Sequence, residues 1–350
     1  MTESTIEPKT RHPLLPVLVT AAVMLVGLNV VIAALSYRLP YRMKLDAISK
    51  APSPNLLFVG NSLLDHHLDE NALVEAANAK GAHFVPLNAA LGASEPPEQR
   101  LLFQYAEQKH PGITTLVVGF YDFQLTADKH FDADDLSGNR MVGIDHRFPT
   151  PEVVQAYSFN ARNRAELALM RAVPMAANRA SAWKNVELLR RSMASIGMPT
   201  VATNSMGRVD DFSTLEAGSA QIFDAQAQAF LANPRHFNAS YEAIFAQARK
   251  ANMRVVLMVM PMSPTHLASY YVRRPWSQYL QALNQLAATD DIQVIDASRW
   301  FPYENDFADH LHMKMEVAHA FSVRLGTELP DMLEAAANES KQTQTAQTIR

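Results

Sequence analysis

The chain reads as a three-layer α/β/α domain on a sheet of five parallel strands, preceded by an apolar segment long enough to cross a bilayer. Three observations carry this. Five short runs, Asn55–Val59, His83–Leu87, Thr114–Gly119, Arg254–Met260 and Ile292–Ile295, are near-continuously apolar rather than alternating, which suits strands buried on both faces. Helix-like segments separate them, among them Asp69–Lys80, Pro97–Lys109, Tyr241–Ala251 and Ser277–Ala288, and alternating β and α units call for a parallel sheet with helices on both faces. From Pro13 to Tyr37 there is no charged residue.

Taken in order, residues 1–12 form an N-terminal tail and 13–37 an anchor, which at about 1.5 Å per residue reaches across a hydrocarbon core. A cleaved secretory signal, with Val31-x-Ala33 as its small-residue site, is the competing reading. Lys9 and Arg11 precede the span while Arg38, Arg42 and Lys44 follow it, so the positive-inside count gives no side. Residues 38–54, ending in Ala-Pro-Ser-Pro, read as a juxtamembrane linker, and 55–330 as the α/β domain. The strand order expected is 2-1-3-4-5, the flavodoxin-like arrangement, in which ligands sit beyond the carboxyl ends of the strands.

Between about 132 and 233 the pattern changes. An acidic loop (Asp132, Asp134, Asp135) leads into a helical stretch from Pro151 to Gly197. Leu167, Met170, Trp183, Val186, Leu189 and Met193 recur there at near-helical spacing. The stretch carries Arg162, Arg164, Arg171, Arg179, Lys184, Arg190 and Arg191 against Glu152, Glu166 and Glu187. It reads as a helical cap inserted over the active edge of the sheet, its basic face solvated or turned to an anionic polymer or lipid headgroups. Residues 331–350 read as a disordered tail.

Bulk properties exclude several functions. The 350 residues carry a net charge of −4 and a pI near 6.3, so no bulk charge favours nucleic acid. The absence of cysteine removes disulfides, thiolate catalysis and cysteine-based zinc sites.

The chemistry-bearing residues fall at strand ends. Ser62 follows the first strand in Gly60-Asn61-Ser62 and opens a helix-like segment. A serine hydroxyl needs a neighbouring base to become nucleophilic. Gly60 permits a tight turn, and backbone N–H groups at a helix start favour a developing oxyanion. A plain helix cap is the other reading of Ser62. Asp309 precedes His312 by three residues, a spacing at which a carboxylate reaches an imidazole and fixes its tautomer. His310, His312, Asp309 and Glu316 also suit a zinc or manganese site. His66 and His67, just after the serine, read as exposed helix histidines, with a place in the cleft as the alternative. Tyr270, Tyr271, Arg273, Arg274 and Trp276 form an aromatic-basic cluster that suits sugar stacking or packs on the core.

Four blocks now stand in order: Gly60-Asn61-Ser62, Asn88-Ala-Ala-Leu-Gly92, Gly119-Phe-Tyr121-Asp122 and Asp309-x-x-His312. This series resembles the SGNH (GDSL-like) hydrolase superfamily over most of residues 55–328. The resemblance implies Ser62 as nucleophile, His312 as base, Asp309 as its orienter, and the Gly92 and Ser62 amides as oxyanion donors, with no metal or organic cofactor. Tyr121 stands where that family has an asparagine donor, leaving Asn61 or Asn88 as substitutes; Asp122 keeps the block's last acid. The N-terminal span, the insertion and the Met260-Pro261-Met262-Ser263-Pro264 segment are similar to membrane-anchored members that modify envelope polymers, such as the alginate O-acetylation and D-alanyl-lipoteichoic acid transfer proteins. That likeness implies an extracytoplasmic (periplasmic) domain on the inner membrane. It also implies acyl esters of a polysaccharide as substrate, and a multi-spanning membrane O-acyltransferase as a possible partner. The alternative is an SGNH scaffold that binds polysaccharide or tethers such an acyltransferase with little chemistry of its own.

Overall fold

The computed structural model describes residues 14–35, 39–136, 142–177, 217–233 and 236–348. Helix α1 (Leu14–Leu35) is long and apolar enough to cross a membrane. The segment expected to be a linker is instead helix α2 (Pro40–Lys50). Pro40 opens it with a preset φ, and Tyr41, Leu45 and Ile48 recur on one face and are buried. The Ile48 carbonyl accepts a 2.6 Å hydrogen bond from His110 Nε2, and Arg147 pairs with Asp46 at 2.7 Å. The two prolines that suggested a linker lie past the helix end.

Strands β1 (Leu56–Val59), β2 (Pro86–Asn88), β3 (Thr115–Phe120), β4 (Arg254–Val259) and β5 (Ile292–Asp296) form one all-parallel sheet. Their order is β2-β1-β3-β4-β5, as expected from the sequence. The middle strands β1 and β3 are buried along their whole length. The single turn α3 (Ser62–Asp65) follows β1 at once. Helix α4 (Glu70–Ala79) starts at Asp69, whose carboxylate accepts from Ala72 N. Helix α5 (Pro96–Lys109) starts with a reciprocal Glu95–Glu98 capping box.

The insertion is packed into the domain: Leu136, Val142, Ile144 and Phe148 belong to the same contiguous core as the sheet. Helix α6 (Thr150–Tyr157) is pinned to α5 by a buried 2.6 Å hydrogen bond from the Tyr157 hydroxyl to Glu98. Helix α7 (Ala161–Ala172) buries Leu167 and Met170, the short α8 (Pro174–Ala177) follows it, and α9 (Ala217–Ala232) contributes Phe223 and Phe230 to the core. Arg179, Trp183, Lys184, Val186, Glu187, Leu189, Arg190, Arg191 and Met193 lie outside the described residues.

Helix α10 (Ala239–Lys250), capped by the Asn238 side chain, carries the chain back to β4, and α11 (Arg274–Thr289) links β4 to β5. Helix α12 runs from Ala318 to Thr348, which corrects the disordered tail expected from 331. Leu329 and Leu333, one turn apart, are both buried, so packing carries the helix past Pro330.

Helix α12 lies on α4 through Gly326, where a Cβ atom would press into the Leu73 carbonyl oxygen and the Ala76 side chain. In an open helix, Gly→Ala gains about 1 kcal/mol of propensity. Here the backbone contact reverses the sign. Gly326→Ala is expected to cost about 1–3 kcal/mol, the usual range for overpacking, read as a lowered thermal midpoint in detergent. Gly112→Ala, with nothing within 4 Å, is the neutral control, and equal midpoints for the two variants refute this account of the α4–α12 contact.

Candidate active site

Ser62 takes the first position of α3, directly after the buried β1. The turn is tight because Gly60 leaves no side chain against the Gly119 carbonyl, which a Cβ would meet at 3.0 Å. Asn61 caps the turn, its Oδ1 accepting from Leu63 N at 3.0 Å. At the other end of the chain, residues 307–313 fold into a closed loop. Phe307 bridges Met313, and Ala308 N donates to the His312 carbonyl at 2.8 Å. Asp309 Oδ1 accepts from the Leu311 and His312 amides at 2.8 and 2.9 Å. The loop thus orients the carboxylate before the imidazole is considered.

These two segments meet. Ser62 Oγ lies 2.8 Å from His312 Nε2, and His312 Nδ1 lies 2.9 Å from Asp309 Oδ2. Burial would raise the Asp309 carboxyl, but the His312 ring and the two loop amides outweigh it and hold the group well below the ordinary carboxylate range. Asp309 therefore stays ionised at any pH near neutrality. An ionised carboxylate on Nδ1 keeps the proton there, leaving Nε2 as the acceptor facing the serine hydroxyl.

The remaining expectations divide. Tyr121 and Asp122 line the same cavity as Ser62 and His312, a space of about 1380 Å³. Burial, then the charges of Asp122 and Glu95, push the Tyr121 hydroxyl up to about 12, so it is a neutral group able to donate. Asn61 also lines the cavity, and its Nδ2 donates weakly to Gln124 at 3.4 Å. Asn88 is elsewhere engaged. Its Nδ2 holds the Leu64 and Asp65 carbonyls at 3.3 Å, and its Oδ1 accepts from Ala90 N, so it buttresses α3 and is no oxyanion donor.

Gly92 is a second correction. Its amide sits close to Ser62, whose Cβ would be 4.0 Å from a Cβ on Gly92. That N–H already donates to Asp65 Oδ2 at 2.9 Å. Asp65 Oδ1 is in turn held by Lys44 of α2 at 2.7 Å. One helical turn of α3 swings Asp65 into this place. The Ser62 amide, at the first helical position, has no intrahelical acceptor.

His312 spends both nitrogens on Ser62 and Asp309, and no three His, Asp or Glu side chains among the described residues cluster as a metal site would require. Tyr271 and Trp276 are buried and stack on each other at 3.7 Å, so this part of the aromatic-basic cluster is core. Tyr270 alone of that cluster lines the cavity, and Arg273 pairs with Asp224 at 2.9 Å.

Comparison with protein-family models and with curated proteins returns no match to this chain.

Sequence reasoning missed three features. Asp122, held at a positive φ of 48°, pairs with His266 Nε2 at 2.9 Å, placing a second carboxylate–imidazole pair on the cavity wall. The only sequence signal was that His266 follows the fourth strand closely. The Lys44–Asp65–Gly92 chain left no signal, since it joins three separate segments. His67, expected on an exposed face, is buried. Its Nε2 lies 2.6 Å from the Met313 carbonyl and its Nδ1 3.1 Å from the Leu63 carbonyl; a neutral ring has one N–H to donate, and the shorter contact is the one to the His312 loop. His66 is the exposed member of the pair.

Burial, against the pull of the Met313 carbonyl, pushes the His67 imidazole below its ordinary value. The folded protein thus resists protonating it while the unfolded chain does not. Its contribution to stability is complete above the unfolded value of about 6.5 and is lost as pH falls through the folded value. His67→Gln, which keeps one donor and removes the titration, is expected to flatten the fall in thermal midpoint between about pH 7 and 5. Parallel curves for variant and wild type refute it.

Proposed function

We propose that this protein is a membrane-anchored serine O-acyltransferase or esterase acting on O-acyl groups of a cell-envelope or exported polysaccharide. The observation that supports it best is the unbroken chain from Ser62 Oγ through His312 to Asp309, with contacts of 2.8 and 2.9 Å. Its chemistry follows from the atoms. Ser62 Oγ attacks the ester carbonyl carbon, and its proton passes to His312 Nε2. The tetrahedral oxyanion takes the Ser62 amide, with the Tyr121 hydroxyl on the same cavity wall as a further donor. The leaving alcohol collects the proton from His312, and the acyl group stays on Ser62. A sugar hydroxyl or water then gives its proton to His312 and attacks the acyl carbon, and Ser62 leaves with that proton taken back from His312. Asp309 remains a carboxylate throughout, steadying the imidazolium.

The aromatic walls supplied by Tyr157, Phe223, Phe230 and Tyr270 suit a ring-shaped acceptor. The resemblance to the SGNH superfamily supports the same assignment and an extracytoplasmic domain anchored by α1, with a multi-spanning O-acyltransferase as acyl source. A specific pair of observations favours a second reading, a polysaccharide-binding scaffold of low turnover. Gly92 N–H is occupied by Asp65, and Tyr121 replaces an asparagine donor. Missing one oxyanion donor costs on the order of 10²–10³ in turnover.

The test is covalent. With a small chromogenic acetyl ester, intact mass is expected to show one acetyl adduct on the wild-type protein and none on Ser62→Ala. Asp309→Asn, which leaves the loop but reverses the tautomer, is expected to slow ester turnover by up to about 10⁴. A folded wild-type protein with neither adduct nor turnover overturns the enzyme reading in favour of the scaffold.

A further inference from the structure

Helix α1 does not stand clear of the domain. Asn29, Ile32 and Ala33, one stripe of its C-terminal half, are half-buried while the residues around them are exposed. They face α8. Asn29 Oδ1 accepts from Met175 N at 3.1 Å, and Asn29 Nδ2 donates to the Leu25 carbonyl at 2.9 Å. The polar side chain in the middle of an apolar helix is thereby satisfied at both ends, which an apolar surrounding demands.

Helix length then decides where α8 lies. The 22 residues of α1 rise about 33 Å, just enough for a hydrocarbon core of about 30 Å. The stretch from Leu14 to Leu28 alone rises only about 22 Å, too short. A span built on this helix therefore needs Asn29 and the turn after it inside the bilayer. Met175, bonded to Asn29, goes with them.

The outer face of α7 changes character along its length in the matching direction. At its start the exposed residues are Arg162 and Arg164; at its end they are Ala165, Ala168, Leu169 and Ala172. Leu169 is 54 % exposed. The chain continues Val173-Pro174-Met175-Ala176-Ala177 with no polar side chain. A charged start that gives way to a bare apolar end is the profile of a segment that enters a membrane interface obliquely.

We propose that the end of α7 and all of α8 form a second membrane-contacting element, a hairpin seated in the headgroup–acyl boundary beside α1. The occupant of this apolar face is phospholipid. Such seating fixes the domain against the bilayer by two elements rather than by a swivelling tether, with the insertion facing the lipid. It depends on α1 crossing the bilayer and is independent of the acyl chemistry, so failure of either leaves the other standing.

The absence of cysteine makes the test direct. Single-cysteine variants Ala22→Cys, Arg162→Cys, Leu169→Cys and Met175→Cys of the full chain carry a nitroxide in phospholipid vesicles, and collision with oxygen is compared with collision with a water-soluble nickel chelate. The expected order of oxygen preference is Ala22 highest, then Met175, then Leu169, with Arg162 in water. Labels at 169 and 175 as chelate-accessible as at 162 overturn the proposal. So do labels there shielded from both reagents, which would place residues 178–216 of this chain on the face, and so does an aqueous label at 22. Wild-type protein irradiated with a diazirine phospholipid gives a readout free of substitution. Adducts are expected on peptide 165–177 as well as on α1, and adducts confined to α1 refute the hairpin.

Discussion

Everything at the candidate site depends on the parallel pairing of β1 with β3, β3 with β4 and β4 with β5. Parallel strands all release the chain at the same edge, so segments far apart in sequence emerge as neighbours. Ser62 leaves β1 and the Asp309–His312 loop follows β5, 250 residues away. The contact at 2.8 Å between their side chains is a consequence of that common edge. Asp122 after β3 and His266 after β4 arrive there for the same reason. Gly60 makes the geometry possible at the serine itself, because any side chain there would push against β3 and spoil the turn.

Charge at this edge is arranged in two layers. Asp309 is half-buried yet ionised, since its loop amides and the His312 ring supply more than burial takes away. Asp65 is a different case. It lies a turn past the serine and is neutralised by Lys44, and in that position it occupies the Gly92 amide. An anion beside the oxyanion position opposes negative charge developing there. The hydroxyl of Tyr121, held neutral, faces the same space without that penalty. The site is thus strong in its proton-transfer chain and sparing in its oxyanion donors, which is why transfer to a bound acceptor and weak turnover stand as the two readings.

Lys44 also joins the site to the N-terminal helices. It sits on α2, directly after the helix that is apolar enough to cross a membrane, and α2 is packed on α5 rather than hanging as a tether. The insertion meets α1 through Met175 and lines the candidate-site cavity through α9. Helix α2 is thus packed against the sheet domain, and α1 touches that domain at Met175.

The sequence by itself carried the five-stranded parallel sheet and pointed to Ser62, Asp309 and His312, which the fold brings into contact. Those features are written in local patterns: apolar runs of strand length, helical spacing between them, and short blocks at strand ends. It also determined the apolar helix, because length and charge alone define one. What only the tertiary structure decided were the partners of groups whose neighbours come from elsewhere in the chain. Gly92 and Asn88 have the residue types an oxyanion donor needs, yet Asp65 and the α3 carbonyls claim their N–H groups. His67 has the spacing of an exposed helix residue, yet the His312 loop closes over it through the Met313 carbonyl. Residues 40–50 and the start of the segment after 330 look like linker and tail because their apolar residues are sparse, yet Tyr41, Leu45, Ile48 and Leu333 are buried and the chain there is helix. Hydrogen-bond donors are few and specific, and a one-dimensional pattern cannot say which acceptor reaches them first.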